Sequence, residues 1–155
     1  MSDQLVTAKQ IAALPVRWDK TGKLRVLMVT SRDTGRWVMP KGWLMDGKKP
    51  WHAAEIEALE EAGAVGFISH NAIGTYHYDK RLSDTDLMPC EVTLYPMVVE
   101  KLNKRWKERL QRKRHWFSPG KAATLVDEKD LSRILKMLAD RAGELKIMQN
   151  LREAS

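Results

Sequence analysis

Apolar positions along the chain fall into short runs separated by polar turns. Residues 9–18 (KQIAALPVRW) and 24–30 (LRVLMVT) are apolar and β-prone. Asp19-Lys20-Thr21-Gly22 between them is turn chemistry, so the two runs predict a hairpin. Pro15 predicts an edge position or a bulge, because proline cannot donate to a strand ladder. A brief strand is expected over 36–39, ending at Pro40. The period then changes. Trp51, Ala54, Ala58 and Ala62 recur every three or four residues, which predicts a helix. Pro50 suits its first turn and Gly63 its C-terminal cap. The small alanines predict close packing against a sheet.

Residues 65–78 read as one strand, 79–88 as a polar loop, 89–99 as a strand and 100–115 as a charged segment. Ser118 and Pro119 open a short helix to about residue 126. Asp127 or Asp130 then caps an amphipathic helix carrying Leu131, Ile134, Leu135 and Leu138, and the tail after Gly143 frays or continues as helix. Strands and helices in this order predict an α/β fold, a mixed sheet with helices packed against it.

The first helix also carries Glu57, Glu60 and Glu61, at i, i+3 and i+4. That spacing gathers three like charges on one face, where each pair costs a few tenths of a kcal/mol. A hard divalent cation with oxygen ligands would compensate.

Composition narrows the setting. The 155 residues suit one domain over 1–155. No apolar run approaches the roughly 18 residues of a membrane span, and residues 1–10 show no apolar leader. Cys90 is the only cysteine, which excludes an intrachain disulfide and a cysteine-cluster zinc site. A reducing, cytoplasmic location and a monomeric chain with no membrane partner are expected. A net charge of +7 points to a polyanionic partner, either a phosphorylated small molecule or nucleic acid.

Residues 42–64 resemble the Nudix box: Gly, five residues, Glu, seven residues, Arg-Glu, an aliphatic, any residue, Glu-Glu, any residue, Gly, an aliphatic. Gly42 is the first glycine, and Glu57-Ala58-Leu59-Glu60-Glu61-Ala62-Gly63-Ala64 fits the second half. Lys48 stands where the pattern has Glu, and Ile56 where it has Arg. Thr30-Ser31-Arg32 and Arg36 to Gly42 resemble the lead-in of diphosphoinositol polyphosphate and diadenosine polyphosphate hydrolases. Arg112-Lys113-Arg114-His115-Trp116-Phe117 resembles their later basic segment. The resemblance covers about residues 9–140.

This resemblance implies an α/β/α sandwich around a mixed sheet, and Mg²⁺- or Mn²⁺-dependent hydrolysis of a diphosphate linkage. It assigns Glu57 and Glu61 as metal ligands and Glu60 as ligand or general base. The backbone carbonyl of Lys41 adds a metal oxygen. Gly42 lets the backbone approach phosphate, and Arg32, Lys41, Arg112 and Arg114 are phosphate contacts, with Lys9 a weaker one. Tyr76, His77, Tyr78 and Trp43 are candidates to line the pocket.

Ile56 and Lys48 remove a charged pair that braces the box in this family. An ion pair of Lys48 with Glu55 or Asp46 would replace it. Two other functions stay open. One is a catalytically weak Nudix-fold module binding a phosphorylated ligand or RNA. The other is an RNA 5′-pyrophosphohydrolase, with Lys104–His115 as a basic patch in which Trp106 stacks a base.

Overall fold

The structure is a computed structural model that describes residues 7–155. Part of the stretch read for an apolar leader, residues 1–6, lies outside them. Among the described residues, eight strands form one mixed sheet. At its centre β1 (Ala8–Trp18) and β7 (Leu87–Leu102) run parallel, from Ala8↔Cys90 to Val16↔Val98. Every other pairing is antiparallel among the described strands.

Alternation along β1 divides the core in two. Ile11 and Ala13 face α1 (Pro50–Ala62), packing on Ala53, Ala54, Ala58 and Ala62. Ala12, Leu14 and Val16 face the other way. There they meet Leu131, Leu135 and Leu138 of α3 (Lys129–Arg141), together with Met148 and Leu151 of α4 (Lys146–Ala154). With α2 (Pro119–Leu125) on that second side, this is the expected α/β/α sandwich. The alanine stripe brings α1 close to the sheet, as its small side chains predict.

Pro15 is not at an edge. It sits in the central strand, where β4 (Lys41–Trp43) ends its pairing at Ala12 and β2 (Leu24–Thr30) begins at Val16. The missing N–H falls in the gap between two ladders, so the proline costs the sheet little. The box glycine lies in that short strand β4 rather than in a free turn.

The single strand expected over 65–78 is two, β5 (Ala64–Ile68) and β6 (Gly74–Arg81). Both lie along the same edge of β7, which explains why they read as one. Between them the Ser69 hydroxyl donates to the Asn71 carbonyl and accepts from its N–H, turning the chain outward. The excursion carries His70 onto Trp51 at 3.7 Å, nearly parallel. The expected amphipathic helix begins after Glu128, which makes no side-chain cap, while Asp130 Oδ1 accepts the Leu131 N–H at 3.1 Å in the first turn. β3 (Trp37–Val38) and β8 (Arg114–Phe117) complete the sheet at β2.

Candidate active site

The end of α1 decides where its glutamates point. The last carbonyls of a helix have no partner within it. Here four successive ones are taken by the segment 103–114. Glu60 O accepts from the Glu108 N–H at 3.1 Å, and Gly63 O from the Asn103 N–H at 2.8 Å. Glu61 O accepts from the Trp106 indole at 3.0 Å, and Ala62 O from Arg114 Nη1 at 2.8 Å. Gly63 ends the helix at φ +64°, a conformation that favours glycine. The basic run is therefore a clamp on the carboxylate helix.

Glu57 and Glu61, one turn apart, project into a cleft of about 670 Å³ between α1, β4, β6 and the 103–114 segment. Both are buried. A Cβ on Gly42 would overlap the Glu57 carboxylate, so only glycine leaves room for it. The Lys41 N–H donates to Glu61 Oε1 at 3.4 Å, bringing the backbone just before that glycine to the carboxylate.

Burial, reinforced by Glu60 and Glu108, pushes Glu57 up to about 7. Burial also pushes Glu61 up to about 7, with repulsion from Glu57 and Glu108 adding to it and attraction to Arg112 and Lys41 opposing it. The Lys41 ammonium is pushed down by burial and lies 5.0 Å from the Tyr78 ring.

Several expected residues meet here. Arg32, Lys41, Gly42, Trp43, Tyr78 and Arg112 all line the cleft with Glu57 and Glu61. Others do not. Glu60 is not a cleft-lining residue, and its carboxylate reaches Lys107 at 3.6 Å. Arg114 spends its guanidinium on Ala62 O and Asn103 O and stacks on Trp106 at 3.9 Å. It caps the helix through Nη1 and does not line the cleft, where a phosphate contact was expected. Trp106 is fixed through its indole N–H on Glu61 O and lies with one ring face against Arg114, so the structure uses it to hold the helix end.

Tyr76 is in the core. His77 points away to Asp130 and Glu91, and Lys9 pairs with Glu91. Glu55 pairs with His52 at 2.9 Å, and Lys48 makes no ion pair among the described residues, so the expected Lys48 tie is absent.

The sequence reading missed Glu108, Arg36, Lys80 and Arg81. Lys80 and Arg81 enter the cleft from β6. Arg36 is held by Glu128 through two contacts at 3.0 and 3.3 Å, 92 positions apart in the chain. Glu108 pairs with Arg112 at 2.7 Å, and their i, i+4 spacing was the one available signal.

Among the described residues no three His, Cys, Asp or Glu side chains converge into a ready-made cation site. Glu57 and Glu61 nevertheless fit a hard divalent cation. They offer oxygen donors only, and burial with mutual repulsion makes their paired negative charge unfavourable without a counter-charge. A larger groove of about 770 Å³ opens between Trp18, Leu138 and Arg152, away from every box residue. The carboxylate chemistry belongs to the smaller cleft.

The NUDIX domain family model matches residues 8–139. Nudix hydrolase 12, mitochondrial, of Arabidopsis thaliana is 31% identical over 121 residues, covering 76% of this chain and 60% of that protein. Nudix hydrolase 13, mitochondrial, of the same plant is 27% identical over 134 residues, covering 81% and 66%. The chain thus spans less than two thirds of the length of these relatives. Among solved structures, the Ap4A hydrolase of C. elegans superposes with a TM-score of 0.63 at 19% identity, covering 87% of this chain and 98% of that one. The NUDIX domain of Shewanella oneidensis NrtR, complexed with ADP ribose, gives 0.63 at 12% identity, covering 88% of each chain. At these identities the two structures report a shared fold.

Proposed function

The chain belongs to the NUDIX family, and from its cleft we propose that it is a divalent-metal-dependent hydrolase of diphosphate linkages in phosphorylated small molecules. The observation that carries this reading is the buried pair Glu57 and Glu61, aimed into a cleft otherwise rich in cations.

Lys41, Arg32, Lys80 and Arg81 line the cleft, and their charges suit the phosphates of a substrate. Arginine suits this because its planar fork matches phosphate oxygens, while lysine acts as a point charge. Glu61, held by the Lys41 N–H, together with Glu57 and the neighbouring Lys41 carbonyl, would hold Mg²⁺ or Mn²⁺. A cation there neutralises phosphate charge and makes an adjacent water more acidic.

Glu57 accepts no hydrogen bond from a protein group among the described residues, so a carboxylate oxygen that the cation does not engage is available to take a proton from the attacking water. The water oxygen bonds to phosphorus, the bridging P–O bond breaks, and the leaving phosphate departs with the bridging oxygen. Glu57 fits this proton transfer better than Glu60, which lies outside the cleft. Lys41 and the arginines stabilise the charge that builds on the phosphate oxygens.

The test is phosphate or nucleotide release by the purified protein with Mg²⁺ or Mn²⁺. The panel comprises dinucleoside polyphosphates, ADP-ribose, nucleotide sugars and diphosphoinositol phosphates. The Ap4A hydrolase and the ADP-ribose complex among the neighbouring structures suggest the first two members. Metal-dependent release from at least one class is expected. Silence from a folded protein across the panel contradicts the reading. Tight binding without turnover would favour the ligand-binding module, to which Ile56 and the outward Glu60 lend support.

A further inference from the structure

Ile56 leaves α1 without a guanidinium beside its acidic face. One arrives from outside. Arg112 has a side chain only 9% exposed and connects three elements around the cleft. Its Nε donates to Glu108 Oε1 at 2.7 Å, and its Nη1 to the carbonyl of Thr30, the last residue of β2, at 3.0 Å. Its Nη2 lies 3.7 Å from Glu61 Oε1. The Glu108 that anchors Nε has its own backbone N–H on Glu60 O. Arg112 is therefore fixed to the same clamp that caps the helix.

We propose that Arg112 is a positioning residue that sets the Glu61 carboxylate, rather than a contact for substrate phosphate. A fork already spent on Glu108 and Thr30 keeps little surface for an incoming phosphate. Arg32, 58% exposed on the same cleft, is the better phosphate contact. A guanidinium locked at two points holds the third in one place, which a flexible lysine does not reproduce. The role rests on the hydrolase reading for its catalytic consequence, but its structural content does not.

The experiment compares Arg112→Gln and Arg112→Lys with the parent protein in three measurements. The first is steady-state kinetics on whichever panel substrate turns over. Both variants are expected to lose kcat by at least about tenfold, with KM changed less than about threefold. A raised KM with kcat intact overturns the proposal and makes Arg112 a substrate contact.

The second is Mn²⁺ binding by calorimetry without substrate. Removing a positive charge beside Glu61 would by itself tighten cation binding. Loss of positioning weakens it, and weakening is expected in Arg112→Lys and Arg112→Gln alike. Unchanged or tighter binding in both counts against positioning.

The third is a melting-temperature cycle with Glu61→Gln, which needs neither activity nor metal. The shifts of the two single variants should fail to add in the double variant, as for residues in one network. Strict additivity overturns the proposal even if the protein proves to be no hydrolase. Arg112→Lys keeps the charge and serves if Arg112→Gln does not fold.

Discussion

The indole of Trp106 donates to the backbone carbonyl of Glu61 at 3.0 Å, while the carboxylate of the same Glu61 faces the cleft. One residue of α1 is thus gripped at its main chain from the basic segment and exposed at its side chain to the site. The segment that reads as a nucleic-acid patch is holding the carboxylate-bearing helix by its end.

Trp106→Phe tests that grip. It keeps a ring under Arg114 and removes the donor to Glu61 O. A net loss of about 1 kcal/mol is expected, a drop of a few degrees in melting temperature. Activity should fall several-fold with it, because the lost bond is one turn from Glu57. Calorimetry and kinetics on the purified variant check both. A variant as stable and active as the parent would remove the clamp from the account.

Arg114→Gln separates capping from substrate binding. Arg114 reaches two carbonyls and no part of the cleft lining. The variant should melt lower, by on the order of 1–2 kcal/mol, since a cation at a helix C-terminus also loses its favourable dipole interaction. KM should be unchanged. A raised KM at unchanged stability would return Arg114 to the phosphate site.

Gly42→Ala places a methyl group on the Glu57 carboxylate. Glu57 must then move, and a displacement costing about 2 kcal/mol in the transition state lowers kcat about 30-fold. The sheet should tolerate the change, because β4 keeps its backbone pairing with β1. Circular dichroism unchanged from the parent, with kcat lost, is the expected pair of results. Full activity would show that Glu57 works from elsewhere.

The two raised carboxyls make the metal-free protein sensitive to pH. Each has an ordinary value of 4.5 and reaches about 7 in the fold. A carboxyl raised on folding binds protons more tightly in the folded state. Its stabilising contribution is therefore full below about 4.5 and is lost as pH rises through about 7. The metal-free protein should melt lower at pH 8 than at pH 5.5, by an amount on the order of 2 kcal/mol. Saturating Mg²⁺ should close the gap at pH 8 by binding the folded state alone. Equal melting at both pH values without metal contradicts the desolvated pair.

What could be read in advance followed from local pattern. The α1 boundaries, its alanine stripe and the Gly63 cap come from spacing within residues 50–63. The Glu57 and Glu61 face is equally local. Glu60 was not separable from them, because i+3 and i+4 neighbours share a helix face until packing chooses which turns inward. Pro15 misled because propensity knows only that proline lacks an N–H, not that two ladders leave a gap there.

The roles of Arg112, Arg114 and Trp106 depend on pairings 45 to 82 positions apart, such as Arg112 with Thr30 and Trp106 with Glu61. A run of seven cations over residues 104–114 says nothing about which ones turn inward to cap a helix. The same holds for Arg36 with Glu128, whose ion pair exists only once α3 is docked. Lys48 shows the converse. Proximity in sequence suggested Glu55 as partner, but His52 at i, i+3 is already on its helix face.

The most direct test of the central claim is the metal-dependent turnover of Glu57→Gln and Glu61→Gln on the best substrate of the panel. Each substitution keeps volume and removes the charge that binds the cation and accepts the proton. Both variants should fold, retain substrate binding and lose kcat by at least about a thousandfold, with Mn²⁺ affinity reduced in each. Turnover within tenfold of the parent in either variant would contradict the account, because the buried carboxylate pair would then not be the catalytic centre.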